Sequence, residues 1–173
     1  MGDFELTSEE LREVARFALA SASPLLPLFE EACPTDPRPR AALDAARIFI
    51  DGAPRSRLQR TASLDAHRAA AAAPSEAARL AAQAAGDAAS AAYLHPIAKA
   101  HQVGHLLRAA ANAARIAELG SGDPGAATAE LEATCRRASP VLVDVLRRYP
   151  PAPRGRSRTS ELMADLDAML RRA

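Results

Sequence analysis

The sequence predicts an all-α protein, a compact, alanine-rich bundle of about seven or eight helices with no sheet. Three observations carry this expectation. Alanine supplies 44 of the 173 residues and is the strongest helix former. β-Branched residues are few and aromatics make up only 3% of the chain, so the side chains that suit a pleated surface are scarce. Prolines, glycines and capping residues recur between segments of helical period. A chain of this length buries roughly two thirds of its unfolded surface and folds without a metal or disulfide staple.

Thr7-Ser8-Glu9-Glu10 has the form of a capping box and opens a first helix whose Leu11, Val14, Ala15 and Ala18 share one face. That helix stops near Ser23, and Pro24 and Pro27 flank a short apolar turn or helix over Leu25 to Ala32. The stiff segment Cys33-Pro34-Thr35-Asp36-Pro37-Arg38-Pro39-Arg40 precedes a helix from about Pro37 to Asp51, ended by Gly52-Ala53-Pro54. The next helix spans about Arg55 to Ala73, and Pro74-Ser75 starts another that runs to about Leu94, where His95-Pro96 forces a boundary. The helix after it ends at Gly120. Asp123-Pro124 pairs a cap with proline at the first helical position, and Ser139-Pro140 kinks or restarts the helix that follows. The expected organisation is a helical bundle over 1–149, a Pro/Arg-rich linker over 150–158, and an amphipathic helix over 159–173. In that last helix Leu162, Met163, Leu166, Met169 and Leu170 form the apolar side, which docks on the body or on a partner.

The 22 basic residues, of which Lys99 is the single lysine, meet 21 acids, leaving a formal charge of +1. This lacks the strongly basic footprint of a nucleic-acid binder, and the Ala and Arg bias is that of a high-GC bacterial coding sequence. The start MGDFELTSEE carries acids where a signal peptide needs a basic, then apolar, run, and no membrane-length apolar window follows. A cytoplasmic protein is expected, with Cys33 and Cys135 as buried thiols.

The segment richest in chemistry is the helix after Pro96. His101, His105, Arg108, Asn112 and Arg115 fall within about 40° of one line at 100° per residue. A solvated surface face is one reading of such a stripe. The other is a working surface, because the stripe holds His, Asn and Arg donors with no Lys or Glu, which suits an anionic ligand or an acidic partner. In the preceding helix Glu76, Arg79, Gln83, Asp87 and Ser90 form a thin polar line on an otherwise alanine cylinder. Such a helix is central, and Asp87 then either hydrogen-bonds across to its neighbour or orients a histidine. Arg38 and Arg40, held between prolines at a helix start, either clamp a carboxylate or phosphate or pair with acids such as Asp44 or Glu31.

His101 and His105 have the spacing of a metal pair but lack the acid of HExxH, so no metal and no other cofactor is assigned. There is no GxSxG and no GxxxxGK[ST], no catalytic residue is named, and neither nuclease nor nucleotide-hydrolysing activity is expected.

Asp36-Pro37-Arg38-Pro39-Arg40 followed by Ala41-Ala42-Leu43-Asp44-Ala45-Ala46, then Ala85-Gly86-Asp87-Ala88 and His101-Gln102-Val103-Gly104, resembles the helical immunity-protein family of bacterial polymorphic-toxin systems. The likeness runs from about Leu25 to Tyr149. It implies a helical fold and a toxin as protein partner, and supplies no catalytic residues. Actinobacterial look-alikes often carry an exonuclease-subunit label, which implies a P-loop and long coiled coils that this chain lacks. Two functions follow. The first is a non-enzymatic binding protein that covers a toxin. The alternative is a small helical enzyme or ligand-binding protein of specialised metabolism, with a cleft between the fifth and sixth helices lined by Asp87, His101, His105, Arg108 and Asn112. No nucleic-acid or membrane partner is expected.

Overall fold

The computed structural model describes residues 4–172. Among these there are nine α-helices, three short 3-10 turns and no strand. The helices are α1 (Ser8–Ala22), α2 (Leu26–Ala32), α3 (Arg38–Ile50), α4 (Arg57–Ala72), α5 (Glu76–Ser90), α6 (Val103–Ser121), α7 (Pro124–Arg137), α8 (Pro140–Arg147) and α9 (Arg158–Arg172). The Ser139-Pro140 break is a restart. The Ser139 side chain accepts from Leu142 N and caps α8, because proline removes the donor that a continuous helix needs there.

Side-chain caps set most of the other boundaries. The expected capping box at Thr7 and Glu10 is formed. A second, at Ser56 and Gln59, starts α4 at Arg57, two residues after Arg55, since the serine and the glutamine satisfy each other's backbone donors. The Gln59 amide also donates to the carbonyl of Ala45 on α3 at 3.1 Å, fully buried. α6 ends at Ser121 rather than Gly120: the left-handed C-cap is Gly122, with φ of 69°, a conformation that a Cβ disfavours.

α5 is the axis of the molecule. It packs against α4, α6, α3, α1 and α2, and every residue from Ala84 to Ala89 is buried. Alanine on facing helices lets their axes approach toward the lower end of the usual range of roughly 8–10 Å. Larger side chains, including Phe29, Leu43, Leu107 and Leu146, fill the core around it. α9 lies on the body: Leu162, Leu166 and Leu170 are buried against α6, α7 and α8. Two clamps hold it. Arg158 reaches Glu118 of α6 at 3.0 Å, and Arg171 pairs with buried Asp167 while donating to the carbonyls of Leu146, Tyr149 and Pro150. No helix among the described residues is long and apolar enough to cross a membrane.

Candidate functional site

The polar lines of α5 and α6 face each other, and Asp87 is where they meet. Its side chain is 0% exposed, and the Arg108 guanidinium grips it through Nε at 2.9 Å and one Nη at 2.5 Å. His67 of α4 brings Nε2 to within 3.4 Å of the same carboxylate. Burial is the largest single influence on Asp87 and pushes its carboxyl up. The hydrogen bonds and charges of Arg108 and His67 together outweigh it and hold the group ionised, below its ordinary value. A buried carboxylate persists only when so compensated.

Gly86 makes room for His67. A Cβ at that position would come 2.9 Å from His67 Nε2, so the imidazole lies across the bare backbone of α5. The ring is one third exposed and has room to swing outward. Gly86→Ala is therefore expected to leave the melting temperature nearly unchanged, since about 1 kcal/mol of helix propensity offsets the lost contact. It also moves His67 off Asp87, which side-chain NMR of the imidazole detects; an unmoved ring would disprove the account.

Around this anchor lies an open cleft of about 370 Å³, lined by Arg60, Ser63, Leu64 and His67 of α4, Ser90 at the end of α5, Tyr93 and His95 beyond it, and His105 and Arg108 of α6. His105 Nδ1 lies 2.9 Å from Ser90 Oγ, whose hydroxyl donates to the Asp87 carbonyl at 3.0 Å. Which of the two atoms donates is set by the imidazole tautomer. Burial, aided by the charges of Arg108, His101 and His95, pulls the His105 imidazole below its ordinary value of 6.5 against the opposing pull of Asp87.

These shifts fix a pH dependence. His105 favours its neutral form in the folded state, so its contribution is complete above pH 6.5 and declines as the pH falls below that value. Asp87 and Glu118 are held below their ordinary values of 3.8 and 4.5. Their contribution is present above those values and is lost as the pH falls through their lower folded ones. Thermal midpoints are expected to fall in two stages on acidification, and His105→Asn, which keeps a hydrogen-bonding group beside Ser90, removes the first. A first stage that survives this replacement would show that another group causes it.

Not every residue of the expected stripe joins the cleft. His101 is exposed and bonds Gln102 at 2.8 Å; it sits in a 3-10 turn, Ala100–Gln102, where the turn per residue is about 120°, so it leaves the α-helical line. Asn112 is fully buried, donating to the Leu80 carbonyl at 3.2 Å. Arg115 pairs with Glu76 at 3.0 Å and with Glu118 at 2.8 Å, locking α6 to α5 at the far end. Arg38 and Arg40 are distant in role: they pair with Asp36 and Glu30, where Asp44 and Glu31 were expected, and Asp44 instead serves Arg47. Both cysteines are free and half-buried. Among the described residues no group of three or more His, Cys, Asp or Glu converges as a metal site.

What sequence reasoning did not bring together with α5 and α6 is the α4 wall: Arg60, Ser63, Leu64 and His67. One signal was present. Gly86 is the single glycine inside α5, next to Asp87, and an isolated glycine in a helix marks a close approach.

Comparison with known proteins adds a family. No curated protein and no solved structure matches the chain. A family model described as "Imm-5 like putative immunity protein" matches residues 5–140, which take in α1 to α7 and every residue of the cleft. The chain belongs to this Imm-5 like immunity-protein family.

Proposed function

We propose that this protein neutralises a toxin by binding it, without chemistry of its own, and that the cleft between α4, α5 and α6 is the surface that meets the partner. One observation carries the choice of surface: Arg108 stands at the cleft with 42% of its side chain exposed, yet is fixed from behind by a fully buried carboxylate. An arginine immobilised before binding loses little entropy on contact, which is how a binding surface gains affinity. The family supports the toxin as partner. Expressing the chain together with candidate toxin domains, chosen from neighbouring genes or from a pull-down, tests the reading. Cells are expected to survive with the wild-type chain and die without it; death in both cases would refute the role.

A small-ligand reading is favoured by the cleft's volume, which lies in the range of small-molecule sites, and by the half-buried His105 imidazole, held toward its neutral form.

A further inference from the structure

The net charge conceals a strong segregation. Residues 52–117 carry eight Lys or Arg against three Asp or Glu, together with all four histidines, and no acid at all occurs from 88 to 117. The three acids are spoken for: Asp65 pairs with Arg68, Glu76 with Arg115, and Asp87 is buried against Arg108. No ion pair or hydrogen bond engages Arg57 or Arg60 among the described residues, and both are exposed. They flank Leu64, itself 50% exposed, along a second hollow on the outer side of α4. Arg60 and Leu64 thus form a ridge between two hollows, with cations on both sides.

The geometry of Arg108 adds a direction. Asp87 takes the Nε and one Nη, leaving the edge between the two Nη atoms without a protein acceptor among the described residues. Gly104, one turn earlier, puts no side chain over it: a Cβ there would lie 3.7 Å from Nη1. That edge matches the spacing of a carboxylate.

We infer that the group recognised by the cleft is a carboxylate side chain presented by an acidic surface of the protein partner, received by the open edge of Arg108 and by Arg60 and seated beside Leu64. The inference rests on the cleft being the partner-facing surface. Charge complementarity selects the partner: a basic toxin surface meets an uncompensated cationic ridge and is repelled.

The test uses a fluorescein-labelled aspartate–serine repeat peptide as probe, its asparagine–serine counterpart, and duplex DNA. The purified full chain is expected to bind the acidic peptide with an affinity that falls as salt rises, to ignore the asparagine version, and to show the binding in the Arg108 and His105 side-chain resonances. Arg60→Glu, an exposed residue with no partner to lose, is expected to weaken binding by at least about tenfold. Arg136→Glu on α7 is expected to leave it unchanged. Equal binding of both peptides, no effect of Arg60→Glu, or tighter binding of DNA at the same resonances would overturn the inference. A chain that protects cells yet ignores the acidic peptide overturns it and leaves the neutralising role standing; one that binds the peptide and fails to protect does the reverse.

Discussion

Arg108→Ala is expected to lower stability by about 3 kcal/mol, the lower end of the range for breaking a buried ion pair. The lower end applies because Arg108 is partly exposed, and water entering the cleft hydrates part of the carboxylate left behind. In a chain of this size the loss corresponds to roughly 6–12 °C in melting temperature. The two partners are not equivalent. Asp87→Asn leaves a guanidinium that reaches water, and should cost about 1–2 kcal/mol. The double variant Asp87→Asn, Arg108→Gln removes both charges and is expected to be more stable than Arg108→Ala alone, by the coupling that a double-mutant cycle measures. Additive losses would mean that the buried pair contributes nothing as a pair.

Ala89→Leu should cost about 2 kcal/mol or more, although leucine is more hydrophobic and nearly as good a helix former. Ala89 is fully buried and lies about 200° around α5 from Asp87, on the side away from the cleft. Extra methylenes there must push apart helices that alanine holds close. A surface alanine such as Ala71, exposed on α4, accepts the same change with less than about 0.5 kcal/mol. Equal effects at the two sites, measured by denaturant unfolding, would show that α5 is not the packed axis described.

The helices were legible because their punctuation is local. Thr7 with Glu10, Ser75, Asp123-Pro124 and Ser139-Pro140 each act on backbone groups within one turn. The central place of α5 was legible from its narrow polar line. The partnership of that line with α6 was readable too, because two polar lines on neighbouring alanine helices have few other places to go. The α4 wall was not, since His67 and Arg60 sit in a basic, solvated-looking sequence and reach the site only through packing between helices. The path of His101 was lost for a smaller reason: a single 3-10 turn shifts the phase of everything before it, and no residue in Ala100–Gln102 announces it. Arg40 chose Glu30 over its neighbour Glu31 because adjacent residues on α2 point about 100° apart.

The segregation of charge runs along the chain. Residues 4–51 carry nine acids against five arginines, and α1, α2 and α3 pack on α5 together with the cleft-forming helices. Arg60 and the open edge of Arg108 place positive charge at the cleft. A cationic surface of this kind would draw the proposed acidic partner toward it before the two touch, so that encounters arrive already oriented. The gain is in speed: association by steering exceeds the ordinary rate for two proteins by one or more orders of magnitude at low salt and fades as ions screen it. On the proposed reading of a toxin-binding protein, the arrival time is then set by the fields around two folded surfaces as much as by the strength of their final grip.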